Sequence, residues 1–439
     1  MKNFFETLRN IWKINDLRGR IILTLSLILV YRIGCFVILP GVDSNELGGA
    51  TGGLGGLLDL FTGGAFNNAS IFALGIMPYI SASIIMQLAG IAVPAIQKLQ
   101  REGESGRKKI NQWTRYLTII ICFFQAPTYL QTYVYGSGTA VIYDTWLWYV
   151  AAVTILISGT MFVVWIGERI TDKGIGNGIS LLIMIGIIAR FPAALIEEMN
   201  FKMDNMGMVI FLVEVVFFVL VIAFCILLVQ GTRRIPIQHA KRIVGGRGGK
   251  QMLSQGQRQY LPLKVNAAGV MPIIFAQAIM FIPALMFGGS TFADIFGFWY
   301  NLVFAFMIII FTYFYTAVTV DPNRIADDLK RSGGFIPGVK PGRKTAEFID
   351  NLLSRITLPG SILLSLVAIL PAFANKFFGV QQNFALFYGG TSLLIMVGVV
   401  LDTLQQIESH LLSNHYDGLM KGTKIKGRGS SLPPVGQAF

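Results

Sequence analysis

Few residues in this 439-residue chain are of types that do chemistry, and their spacing argues against most of it. The three histidines, His239, His410 and His415, show no spacing that would let them share a metal ion. Cys35, Cys122 and Cys225 each sit in an apolar stretch, where a lone thiol behaves as a small hydrophobe. The run from Gly245 to Lys250 is rich in glycine and ends in lysine. A phosphate loop, however, needs glycine where Val244 stands and Ser or Thr where Gln251 stands. Asn68, Ala69 and Ser70 match a glycosylation acceptor, a pattern short enough to arise by chance. Glu214 and Arg32 are the ionisable residues deepest in apolar segments. Such groups mark a substrate path in a transporter or pair inside a packed interface. No grouping of residues makes an enzyme.

The elements that would position these residues follow from composition. Hydrophobic residues make up 54% and charged residues 13% of the chain, with a mean hydropathy of +0.61. That leaves too little polar surface for a soluble protein of this length, so a soluble enzyme, a disordered scaffold and a fibrous protein are excluded. Lipid must solvate most of it. A bilayer core of ~30 Å needs roughly 20 apolar residues as helix. That ruler predicts about ten spans, at 21–39, 72–93, 116–135, 146–166, 178–196, 208–229, 267–287, 300–320, 357–374 and 384–404. The fifth and ninth carry interruptions, at Gly176, Gly178 and Pro192 and at Pro359 and Pro371. The first is too long for a signal-peptide core.

Of the 36 Lys and Arg residues, 32 fall in alternate segments: 1–20, 94–115, 167–177, 230–265, 321–356 and the tail after 405. Lys202 and Lys376 are assigned to the opposite loops, while Arg32 and Arg190 lie within spans. The positive-inside rule then predicts that both termini and the four basic loops are cytoplasmic. Five spans per half, 21–196 and 208–404, would give the halves opposite orientation, as in inverted-repeat membrane proteins. Residues 1–20 form a cytoplasmic segment in which Phe4, Leu8, Ile11 and Trp12 recur at helical spacing among basic residues. They read equally as an amphipathic surface helix or as a positive flank. Residues 405–439 are a cytoplasmic tail.

Two function classes fit an apolar interior with large basic loops: an ion-coupled solute transporter, or a pore and docking platform for a macromolecule. Transporters mark their path with intramembrane charges, which are scarce here. The 230–265 loop carries eight Lys and Arg and no acid. An unscreened basic loop suits a polyanion such as ribosomal RNA or an acidic protein surface, or else lies against anionic headgroups.

Several long runs carry a resemblance. Ala69–Gln87, Glu102–Lys109, Trp165–Ser180, Leu261–Asn266, Gly333–Gly338 and Gly389–Ile395 are very similar, in order, to signature segments of the SecY/Sec61-alpha family of protein-translocation channels. The resemblance implies an all-α membrane protein of ten helices, in two inverted halves around an hourglass pore. It also implies residence in the bacterial cytoplasmic (inner) membrane. The function implied is to pass unfolded secretory chains across the membrane and to release apolar segments sideways into lipid. The partners implied are SecE and SecG in the membrane and, as drivers, the SecA ATPase or a translating ribosome with its RNA. No cofactor is implied.

Carried over by motif, the pore ring is Ile76, Ile80, Ile183, Ile274 and Ile395. Such a ring would bind no passing chain strongly and would exclude ions by dewetting. Residues 52–68 would be the plug, with Leu57, Leu58, Leu60 and Phe61 between the hinge-like Gly52-Gly53 and Gly63-Gly64. Read alone, this glycine-flanked apolar segment is an exposed loop or a buried element, and four large apolar residues favour burial. Gln87, Gln125 and Asn266 are candidates for a lateral gate between the second and third and the seventh and eighth spans. Lys241, Arg242 and Arg247, with Lys250 nearby, and Lys340 are candidates for SecA or ribosome docking. The family usually has arginine where Lys340 stands. Phe218 is taken as a lipid-facing position.

Overall fold

The computed structural model of the protein describes residues 14–43, 47, 53–137, 141–142, 145–205, 207–239, 259–266, 268–286 and 295–422. Most of the N-terminal amphipathic segment, Gly52 of the plug segment, Lys241, Arg242, Arg247, Lys250 and the tail from residue 423 lie outside them.

Ten helices occupy the ten expected positions among the described residues. Helix α1 (Asn15–Gly34) leads to a short buried helix, α2 (Gly53–Thr62), and a run of turns. The second span is α3 (Met77–Ala92), which turns by 104° into α4 (Pro94–Arg101). The bend has a local cause. Pro94 lacks an N–H and forces the residue before it out of the helical region, and Val93 sits at φ −108° and ψ 112°. Then follow α5 (Glu104–Tyr129), α6 (Trp146–Lys173), α7 (Gly178–Asn205) and α8 (Met208–Gln230). The later spans are α9 (Met271–Met286) and α10 (Phe298–Thr319). The short α11 (Pro322–Arg331) precedes α12 (Arg343–Phe378), α13 (Gln382–Ala385) and α14 (Gly390–Gly422).

Seven of these helices are long and apolar enough to cross a bilayer by themselves, and the bent α3–α4 pair makes an eighth. Neither proline nor glycine breaks the fifth and ninth spans, because α7 runs through Pro192 and α12 through Pro359 and Pro371. In lipid a proline frees one or two backbone groups, whereas a helix that stopped there would strand many more.

Along α8 the buried positions Glu214, Phe218, Val221, Cys225 and Leu228 recur every three or four residues, so one stripe of a helix that is apolar all round faces the protein. Val209, Leu212, Val216, Leu220 and Leu227 face outward. Phe218 is therefore not lipid-facing as expected: it stacks on Phe191 and meets Phe384 and Tyr388.

The fold also departs from purely helical. Strand β1 (Thr232–His239) pairs antiparallel with β2 (Gln259–Lys264) and with β3 (Gly334–Phe335), in the order β2-β1-β3. Ile235, Ile237 and Leu263 alternate inward and Arg233, Arg234 and Lys264 do not. Ile235 and Leu263 meet Ile336, Ile349 and Leu353 in a small core of their own. The two large basic loops thus share one rigid base.

Candidate functional site

The five isoleucines assigned to the pore come from four helices and fall in one large apolar cluster, which also takes in residues of α1, α6, α8, α10 and α12. Ile76 caps the start of α3 and Ile80 lies one turn on, its N–H bonded to the Ile76 carbonyl at 3.1 Å. Ile183 comes from α7, Ile274 from α9 and Ile395 from α14. Ile76, Ile183 and Ile395 are buried in it, and Ile80 and Ile274 are partly buried and pack against the cluster.

The segment expected to be the plug joins the same cluster. Leu60 and Phe61 of α2 are buried in it and Leu57 packs against it. Leu58 turns the other way, onto a second cluster containing Phe66, Tyr129 and Leu130. The exposed-loop reading of this segment is therefore overturned.

Beside this apolar packing, the polar contacts that reach this segment go mostly to its main chain. Arg32 of α1 donates to the Gly63 carbonyl at 3.1 Å and Tyr129 of α5 donates to the Phe66 carbonyl at 2.7 Å. Tyr31 reaches the Thr62 carbonyl at 3.5 Å. Gly63 and Gly64 take φ of +65° and +98°, a region in which a side chain is strained, so the chain can turn sharply at the end of α2. On the α7 side, Gly186 lies directly under the plug backbone. A Cβ there would overlap the Phe61 carbonyl oxygen and stand 3.3 Å from the Gly63 nitrogen.

The plug also has one ion pair, Asp59 with Arg190 of α7, and Asp59 accepts the Asn67 N–H at 3.0 Å. Sequence reading placed Arg190 within a span and gave Asp59 no role. The visible signal was an acid inside an otherwise apolar, uncharged segment.

The SecY family model matches residues 70–404. The "Protein translocase subunit SecY" of Streptomyces scabiei is 41% identical over 438 residues, covering 93% of this chain and 98% of that one. The protein of the same description from Chlamydia trachomatis serovar D is 37% identical over 469 residues, covering 96% and 99%. The chain belongs to the SecY family.

As a SecY-family protein it is a multi-pass membrane channel subunit of a protein translocase, and not an enzyme. The fold is similar to that of "The structure of a protein conducting channel", with a TM-score of 0.63 at 17% identity, covering 92% of this chain and 94% of that one. It is also similar to the structure described as "Sec61 in the Canine ribosome-channel complex from the endoplasmic reticulum", with a TM-score of 0.59 at 16% identity and the same coverage.

In this SecY-family chain the three gate candidates do not bond to one another. Gln87 donates to Ser83 on its own helix at 3.5 Å, Asn266 donates to the Gly269 carbonyl at 3.0 Å, and Gln125 is half-buried on α5. A polar contact that sequence reading missed joins α14 to α9, where Thr391 donates to Gln277 at 2.6 Å. Lys340 is exposed on the turn between β3 and α12, and its carbonyl accepts from Thr345 at 3.0 Å.

The two deep charges that had kept a transporter reading open both have structural partners. Arg32 grips the plug and lies over the Phe36 ring. Glu214 lies 2.8 Å from the Lys202 ammonium. Lys202 was expected in an outer loop. It lies instead within α7, with its side chain wholly buried. Its ammonium also donates to the Phe378 and Gly379 carbonyls at 2.8 and 3.1 Å and lies 3.8 Å from Glu198, which accepts the Gln381 N–H. This cluster staples α7 to α8 and to the turn after α12.

Proposed function

We propose that an unfolded polypeptide threads between the first five and the last five spans of this chain, through the constriction formed by Ile76, Ile80, Ile183, Ile274 and Ile395. The observation that carries the reading is that these five side chains, from four helices, belong to one apolar cluster that also holds Leu60 and Phe61 of α2. A constriction lined by branched aliphatic groups excludes ions without holding any passing segment. The plug, 52–68, closes it at rest, and Gln87, Gln125 and Asn266 line the seam through which apolar segments leave into lipid.

The inner membrane is the location that goes with this role, with both termini and the β1–β2–β3 face in the cytoplasm, as the basic bias of that side supports. SecE and SecG are the membrane partners, and SecA or a ribosome the driver. The docking surface is the shared base of the two basic loops with Lys340, and Lys241, Arg242 and Arg247, which lie outside the described residues, are assigned to it from the sequence. The domain organisation is 1–20, 21–196, 208–404 and 405–439.

Site-specific photo-crosslinking to a stalled secretory chain tests the pore. Adducts form from probes at Ile80 and Ile395 and stay at background from Leu227, which is 70% exposed on the outside of α8. Absence of adducts at both isoleucines, with driver binding intact, would discard the pore assignment.

Lys340 tests the docking surface. Because its side chain is exposed, it acts as a point charge, so Lys340→Arg leaves ribosome or SecA affinity within about twofold, and Lys340→Glu weakens it by about tenfold, as like charges do across an interface. A loss with arginine as large as that with glutamate would show that the shape of the lysine matters, not its charge.

A further inference from the structure

The polar contacts that hold the plug come from the first five spans: Tyr31 and Arg32 on α1, Tyr129 on α5 and Arg190 on α7. Toward the last five spans Leu60 and Phe61 pack into the apolar cluster, and a cavity of about 290 Å³ opens beside Asp59. Gly56, Asp59, Leu60 and Asn67 line it together with Arg190, Ala193, Ala194 and Glu197 of α7 and with Asn383, Leu386 and Phe387. Among the described residues, the polar grip on the plug is thus all on the flank of the first five spans.

Asp59 needs a reason to be there. Its side chain is 8% exposed, within an apolar plug, and a carboxylate so placed is costly unless a countercharge meets it. Leucine at that position would seal the pore better. Besides accepting the Asn67 N–H within its own segment, the acid provides one contact to another element, Arg190, which vanishes when the two separate. The Arg190 side chain is 34% exposed and borders the cavity, so water can take the place of Asp59 once the pair begins to part.

We infer that Asp59 and Arg190 form a latch that keys the plug to the fifth span. Parting of the two sets of five spans then leaves the plug seated on the first set, and unplugging is a separate step that begins when this pair breaks. The inference rests on the plug reading above. Arg190 is a positioning residue: it acts on the pore only through Asp59.

The test is halide efflux from vesicles holding the full chain with its co-purified membrane subunits, without a substrate chain. R190Q strands a buried carboxylate and raises resting efflux by about tenfold or more. R190K keeps the charge and restores most of the seal. The double variant D59N/R190Q leaks less than R190Q alone, because no uncompensated charge remains, and this non-additivity is what a merely structural arginine would not produce. If R190Q does not assemble, D59N carries the comparison: it leaks when Asp59 is the latch and stays as tight as the parent when it is not.

Deletion of residues 53–62 separates the two readings. A leaky deletion beside a tight R190Q and a tight D59N would overturn the latch and leave the plug standing. A tight deletion would overturn the plug itself. Efflux in the double variant equal to the product of the single effects would show that the two residues do not act as a pair.

Discussion

Lys202→Met lowers the stability of the folded chain by about 3–5 kcal/mol, the loss that follows removal of one partner from a buried ion pair. The ammonium is wholly buried and serves Glu214, Glu198 and two carbonyl oxygens, so its loss leaves both acids without their countercharge and Glu198 with only the Gln381 N–H. Methionine fills the space but supplies no charge. Denaturant or thermal unfolding in detergent measures the effect. Lys202→Met/Glu214→Gln recovers part of the loss, since only one of the two acids then remains ionised. A variant as stable as the parent would show that the cluster is not the staple between α7 and α8 described above. The same pair of variants separates channel from transporter. Glu214→Gln weakens the fold, and with it all activity, without changing what passes through.

Gly186→Val unseats the plug. Its Cβ would overlap the Phe61 carbonyl, a backbone atom that cannot rotate away, and both α7 and the turn at Gly63 are fixed by their own hydrogen bonds. Overpacking of this kind costs about 1–3 kcal/mol. Placed on the plug alone, that raises the unseated population roughly 5- to 150-fold. Resting ion efflux from reconstituted vesicles reads it directly, with Gly186→Ala giving a smaller rise. Efflux unchanged in the valine variant would mean that α7 yields and the plug does not.

Much of this architecture was legible in the residues. Apolar length located a helix at each of the ten expected positions, of which seven, or eight with the bent pair, are long and apolar enough to cross a bilayer. The ends were less legible, and the reason is physical. The fifth span appeared to stop at 196 because Glu197 and Glu198 follow, yet α7 continues to Asn205. Glu198 and Lys202 cancel against each other and against Glu214, and pairing across elements cannot be read from one element. The sheet was missed for a similar reason. Its three strands are short and lie in loops that read mainly as basic, and β1 and β2 gain their inward-facing core only against α12. Family-like runs named the isoleucines proposed for the pore, but the contacts of α1, α5 and α7 with the 53–68 segment needed coordinates. A donor that reaches a carbonyl oxygen leaves no mark on the residue that owns the oxygen.

That last property bears on how the plug can change over generations. Tyr31, Arg32 and Tyr129 all hold it by the carbonyl oxygens of Thr62, Gly63 and Phe66, groups that every amino acid possesses. Apart from Asp59, whose side chain meets Arg190, the plug's side chains can therefore change, and with them the tightness of closure, while these three anchors are kept by residues outside the segment. Drift in this segment is a means of tuning the resting leak, with the turn at Gly63 and Gly64 as its fixed point.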